Sequence, residues 1–160
     1  KRRQEESSNP AKAAHRLLQE ENIISLEPLD RSSLHNRINS RFDTMQQNGF
    51  WDEIKSLYQN PQLDLTLPSM RCIGYRQAWE LLDELKTAGK DPFQLSSSDQ
   101  KQLFAKWHEL GSAATRQLAK RQLTWLRSMP QRHVIASDDQ QAKALLIEKV
   151  ISLRNQTINI

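Results

Sequence analysis

The chain has a single cysteine and only four glycines in 160 residues. A lone thiol, Cys72, excludes an internal disulfide and any cysteine-built metal site, and it suits a reducing cytoplasm. His15, His35, His108 and His133 stand at no metal-ligand spacing, and neither a CxxC nor an HExxH pattern occurs. None of Gly49, Gly74, Gly89 and Gly111 belongs to a G-x-x-x-x-G-K-[ST] loop, so the usual backbone cradle for nucleotide phosphates is missing. No apolar run approaches the length that spans a bilayer, and no signal peptide is visible. Internal repeats are absent as well. Most telling, no acidic residue occurs from Gly111 to Ser137.

What remains is the composition of a soluble globular chain, 37% apolar and 26% charged. A net charge of +4 and a pI near 9.4 favour an anionic partner. Lys1 to Pro10 is polar and charged, which reads as a flexible or linker segment. With lysine at its head, the chain is expected to be a piece of something longer. Residues 1–22 are read as that linker, and residues 23–160 as the folded part.

Periodicity predicts a mainly helical fold with about five or six helices and two short strands. Ala-rich residues 11–21 suggest a short helix. Ile23 to Leu26 favours a strand that Pro28 stops. Asp30 or Ser32 can cap a helix whose buried stripe is Leu34, Ile38, Phe42 and Met45, ended by Asn48-Gly49. Phe50, Trp51, Ile54, Leu57 and Tyr58 form a second amphipathic helix. Leu63, Leu65 and Leu67 then alternate along a linker that they pin to the core. Tyr75, Ala78, Trp79, Leu82 and Leu85 build a third helix, closed by Gly89, with Trp79 in the core. Ser97 and Gln100 read as a capping box opening a long helix from about Asp99 to Ser128. Gly111 in its middle costs roughly 1 kcal/mol relative to alanine and implies a close packing contact. Pro130 stops it, His133 to Ala136 makes the second strand, and Ser137 with Gln140 caps a last helix through Leu145, Leu146, Val150 and Leu153. Two such strands need a pairing partner.

Two stretches carry chemistry. Pro68-Ser69-Met70-Arg71-Cys72-Ile73-Gly74-Tyr75-Arg76-Gln77-Ala78-Trp79 sets arginine forks and an aromatic face around a glycine that admits close backbone approach. It reads either as a phosphate- or nucleic-acid-contacting loop or as a turn with solvated arginines and a core tyrosine. In the long helix Arg116, Lys120 and Arg127 share a face, with Ala114, Leu118, Gln122, Trp125, Leu126 and Met129 opposite, where Leu118 and Trp125 are expected to be buried. A solvated face normally mixes both signs, so an acid-free basic face points to nucleic acid. Arg37 and Arg41 lie one turn apart beside the first helical stripe. They either share an anion or are balanced by Asp43 and solvent.

Arg71-Cys72-Ile73-Gly74-Tyr75-Arg76-Gln77, Ala114-Thr115-Arg116-Gln117-Leu118-Ala119-Lys120-Arg121-Gln122 and Leu34-His35-Asn36-Arg37-Ile38-Asn39-Ser40-Arg41-Phe42, with Met45 and Gly49 after the last, together resemble the bacterial tRNA dimethylallyltransferases. The resemblance covers roughly residues 27–135. It implies the C-terminal part of an α/β fold similar to P-loop nucleotide-binding proteins, without the P-loop half. It also implies transfer of a dimethylallyl group from dimethylallyl diphosphate to N6 of the adenosine 3′-adjacent to the anticodon, by a cytoplasmic, monomeric enzyme that uses Mg2+. By the same resemblance Arg41 and Arg37 face the diphosphate. Arg71, Cys72, Ile73, Gly74, Tyr75, Arg76, Arg116 and the run Lys120, Arg121, Gln122, Leu123, Thr124, Trp125, Leu126 and Arg127 face the tRNA anticodon stem-loop. Cys72, which nothing activates, reads as a small packing residue. The magnesium site belongs mainly to the P-loop half, so this chain alone is expected to be inactive. Two rival classes stay open: a stand-alone helical nucleic-acid-binding module, and a non-catalytic protein that docks a partner through apolar surface.

Overall fold

The computed structural model describes residues 20–158. The helix expected over 11–21 falls outside these up to residue 19, and Glu20–Asn22 form a single 3-10 turn. Among the described residues there are five α-helices and two strands. In chain order they are β1 (Ile24–Glu27), α1 (Arg31–Gln47), α2 (Phe50–Tyr58), α3 (Tyr75–Thr87), α4 (Ser97–Arg127), β2 (His133–Ala136) and α5 (Ala142–Ile158). They group into two compact units. Residues 34–120 make one, and the described residues up to Ser33 and from Arg121 onward make the other.

The unit of residues 34–120 is built on aromatic rings. Ile38 and Phe42 of α1, Phe50, Trp51 and Ile54 of α2, Ala78, Leu81 and Leu82 of α3, and Leu103 and Trp107 of α4 are all buried. These are the apolar stripes that helical spacing predicts, now facing one another. Trp107 is fully buried at their centre. Its ring stacks on Phe50 at 4.5 Å between centroids and meets Phe42 at 5.0 Å and Trp51 at 5.7 Å. Each such pair contributes about 0.5–1.5 kcal/mol beyond burial. Trp79 is buried as expected. Leu63, Leu65 and Leu67 are each half-buried between exposed neighbours, so the linker is pinned without forming a strand.

Gly111 explains itself by contact. A Cβ there would lie 2.6 Å from Phe42 Cζ and nearer still to Cε1, so the missing side chain is what lets the Phe42 ring reach α4. Gly49 has φ 86°, the left-handed geometry that ends α1, and it also opens α2.

Capping follows local competition. Asp30 rather than Ser32 caps α1: its carboxylate accepts from Ser33 N at 2.9 Å and from the Ser32 hydroxyl. Those donors hold the Asp30 carboxyl down at about 2. At α4 the capping serine is Ser96, one residue earlier than the spacing to Gln100 suggests. Asp99 N donates to Ser96 Oγ at 3.1 Å, and Ser96 Oγ donates to Asp99 Oδ2 at 2.8 Å. An ionised carboxylate is the stronger reciprocal partner, and Gln100 turns instead to Leu95 O. The Ser137–Gln140 box does not form. Ser137 N is taken by Glu27 O at 2.8 Å and its hydroxyl by Asp138. The next helix therefore starts only at Ala142.

In the other unit the two strands need no third partner to pair, since they pair in parallel with each other. The register runs from Ile24 opposite His133 to Glu27 opposite Ala136. Beside this pairing, Arg132 Nε donates to Glu27 Oε1 at 2.8 Å with both side chains nearly buried. That hydrogen bond is the main reason the Glu27 carboxyl titrates below its ordinary range. α5 leaves Leu145, Ile147, Val150 and Ile151 exposed.

A titration checks the helical core. Tyr58 packs on Trp79 and donates to Asp83 Oδ1 at 2.6 Å. Burial, then that carboxylate, push its phenol up to about 12. The folded state thus keeps a proton that the unfolded chain releases near pH 10. Stability is expected to fall as pH climbs from about 10 towards about 12. Tyr58→Phe should flatten that decline in denaturant melts, and an unchanged slope would mean the pair is not formed.

Candidate functional site

The apolar stripe of α1 is flanked by polar residues that face a cleft. Asn36, Arg37, Ser40, Arg41, Thr44 and Asn48 lie along it. This flank is one wall of a broad cleft of about 1220 Å³ within the 34–120 unit. Cys72, Ile73 and Tyr75 supply the opposite side, with Thr115 and Leu118 of α4 and Glu53 of α2. Leu34, Ile38, Phe42, Met45 and Phe50 form its apolar floor. The cleft is therefore cationic on one side and apolar beneath, a combination fitted to an amphiphile with an anionic head. Both arginines are exposed, and the Arg41 side chain makes no ion pair or hydrogen bond among the described residues.

The central loop is held from behind. Gly74 adopts φ 98° and ψ −58°, a backbone that L side chains rarely adopt. Its carbonyl accepts from Trp107 Nε1 at 3.0 Å, and its N–H donates to Gln77 Oε1 at 2.8 Å. The glycine therefore serves this backbone geometry and not a close approach, since a Cβ there would meet only Met45 Cε at an ordinary 3.6 Å. Ile73 and Tyr75 pack on the core from the same turn. Tyr75 meets Phe50 edge-on at 5.4 Å and donates to Glu53 Oε1 at 2.7 Å. That bond is the first cause of its raised phenol pKa. Tyr75 is therefore a tethered wall of the cleft, with less open face than its sequence context implies.

Other members of the loop point elsewhere. Arg71 Nη2 donates to Thr66 O at 2.9 Å, and Arg76 sits 3.7 Å from Glu80 in an exposed pair of small energetic weight. Neither lines the cleft. Cys72 is exposed on it, which corrects the packing role expected from sequence.

The long basic helix divides in two. Arg116 is half-buried and spends a donor on Asn39 Oδ1 at 3.3 Å. Lys120, Arg121, Gln122, Thr124 and Arg127 are exposed, and Leu123 and Leu126 are half-buried. Two expected burials fail. Trp125 is 63% exposed and Leu118 is 37% exposed. Helical spacing places both opposite the cations, yet the Trp125 ring stays open to solvent and Leu118 borders the cleft. Sequence reasoning also missed Glu53. Its only signal was an acid in the first turn of α2, a position that the helix dipole alone accounts for.

A family model described as IPP transferase matches residues 2–129, which include every cleft residue and the exposed cations through Arg127. This chain belongs to the IPP transferase family. Among relatives, the tRNA dimethylallyltransferase of Verminephrobacter eiseniae is 49% identical over 135 residues, 84% of this chain and 39% of that protein. That of a Polaromonas species is 52% identical over 130 residues, 80% of this chain and 36% of that protein. That of Paracidovorax citrulli is 53% identical over 116 residues, 72% of this chain and 30% of that protein. The chain thus spans about two fifths or less of the length of these relatives. Within the family match lie α1 to α4 and the cleft between them, whereas β2 and α5 lie beyond it. No helix among the described residues is long and apolar enough to cross a membrane.

Proposed function

We propose that this IPP transferase chain forms a substrate-binding face for tRNA dimethylallylation. The observation that carries the reading is the convergence of Arg37 and Arg41 with Cys72, Ile73 and Tyr75 on one cleft. In the reaction the N6 amine of the adenosine 3′-adjacent to the anticodon attacks the allylic carbon of dimethylallyl diphosphate. The carbon–oxygen bond breaks, diphosphate leaves, and the amine loses a proton. Guanidinium groups at the cleft wall neutralise the charge that develops on the leaving diphosphate. The apolar floor accepts the five-carbon group and excludes water. Arg71 and Arg76, and the run Lys120 to Arg127 with its exposed cations, face the phosphates of the anticodon stem-loop, and Trp125 offers an uncovered ring to an unstacked base.

By this reading the magnesium that serves the reaction is held mainly by a part of the transferase outside these residues. Among the described residues no cluster of three His, Cys, Asp or Glu side chains can hold a metal ion. No step above passes through one, and the 160-residue chain alone is expected to give no turnover.

The test is a salt titration of anticodon stem-loop binding beside melting curves. Lys120→Ala and Arg127→Ala should each flatten log affinity against log salt by roughly 0.7–0.9. The midpoint should hardly move, because both side chains are exposed. Trp125→Ala should weaken RNA binding while changing stability by no more than about 0.5 kcal/mol. In a transfer-competent transferase, Arg41→Ala should raise KM for the donor and leave RNA affinity intact. Variants at Lys120 and Arg127 that unfold the chain without altering the salt slope would make the basic face structural. RNA binding with no donor response to Arg41 would favour a plain nucleic-acid-binding module.

A further inference from the structure

The side of α1 away from the cleft arginines carries a row of polar ties to α4. At about 100° per residue, Asn39 lies about 160° around the helix from both Arg37 and Arg41. Its side-chain oxygen accepts from Arg116 Nη1 at 3.3 Å, and its carbonyl lies 3.3 Å from His108 Nε2. The same His108 nitrogen is 3.2 Å from Asp43 Oδ1, one turn further along. Between these ties the Phe42 ring rests in the gap left by Gly111. An apolar stripe alone is a poor register, because it lets a helix roll through small angles with little change in buried area. Directed polar contacts at one edge penalise such a roll.

We propose that Arg116, acting through Asn39, is a positioning residue. It fixes the roll of α1 on α4 and hence the direction in which Arg37 and Arg41 meet an anion. This rests on the reading that those two arginines receive the diphosphate. Sequence context groups Arg116 with the RNA-facing cations of the basic face. The structure places its neighbours Thr115 and Leu118 on the cleft and turns Arg116 to Asn39. A misplacement of about 1 Å is enough to cost a charge clamp much of its effect.

The experiment uses the full chain with inorganic diphosphate, in low salt without added metal, read by calorimetric titration and thermal melts. Arg116→Met and Asn39→Ala should each weaken diphosphate binding about tenfold, the size of one hydrogen bond to a charged group, with little change in midpoint. The double variant should be no weaker than either single one, because both remove the same tie. Arg116→Lys, which keeps a donor, should recover most of the affinity. Arg116→Met should also leave the salt slope of stem-loop binding unchanged. If Arg41→Ala abolishes diphosphate binding while the Asn39 and Arg116 variants do nothing, the positioning role is wrong and the cleft reading stands. If Arg41→Ala changes nothing, the cleft reading fails and takes this inference with it. Affinity losses that merely follow the melting temperature, or a salt slope flattened by about 0.7 in Arg116→Met, would also overturn it.

Discussion

Trp107→Ala is expected to cost about 5 kcal/mol and to leave the chain largely unfolded at 37 °C. The indole has no exposed surface and contacts Phe42, Phe50 and Trp51. Removing a buried tryptophan of this kind costs about 3–5 kcal/mol. The Gly74 carbonyl keeps its bond from Ala78 N at 3.0 Å, so losing the indole donor adds only about 0.5–1.5 kcal/mol more. Against a total of about 5–15 kcal/mol, little remains. Trp107→Phe separates the two parts: it keeps a ring in the stack and should cost only about the hydrogen bond. Urea unfolding measures both. The expectation carries to the cleft, since Ile73 and Tyr75 hang from the turn that the Trp107–Gly74 bond secures. A Trp107→Ala protein within about 1 kcal/mol of the parent would show that this core is drawn wrongly.

Gly111→Ala is expected to destabilise the protein by about 2 kcal/mol, although it removes a poor helix former. Alanine returns about 1 kcal/mol of helix propensity. The new methyl, however, would sit within 2.6 Å of Phe42 Cζ. The ring is 3% exposed and hemmed in by Trp107 and His108, so it cannot simply step aside. Overpacking of this sort costs about 1–3 kcal/mol and occasionally more. Phe42→Leu should relieve it, making the double variant more stable than the two single effects add up to. Since Phe42 lies on the helix that carries Arg37 and Arg41, diphosphate affinity should fall in the single glycine variant and partly return in the double. A Gly111→Ala protein that melts at or above the parent temperature would show that the ring has room to move.

Much of this architecture is legible without coordinates. Stripes at helical spacing marked α1 to α4 to within a residue or two. β-branched residues marked both strands, and an interior glycine in α4 marked a contact too close for a side chain. Near neighbours in the chain dictate each of these. Where several residues compete for one role, the outcome was not legible. Ser96, Ser97 and Ser98 are alike as caps until Asp99 selects the one it can answer. Ser137 looks like a cap, yet its N–H is already engaged by Glu27, more than a hundred residues earlier.

The sequence by itself determined the helices, the site of the tight Gly111 contact, the acid-free cationic run and the three motifs that place the chain in its family. These depend on side-chain type and spacing, which local backbone geometry turns directly into faces and caps. Only the tertiary structure decided that β1 pairs with β2, that Arg37 and Arg41 share a cleft with Cys72, Ile73 and Tyr75, and that Tyr75 is tied to Glu53. It also turned Arg116 inward to Asn39 and left Trp125 uncovered. Periodicity shows that a helix has an apolar side, but burial requires a second surface to meet it. That surface comes from residues far away in the chain, which no local pattern encodes.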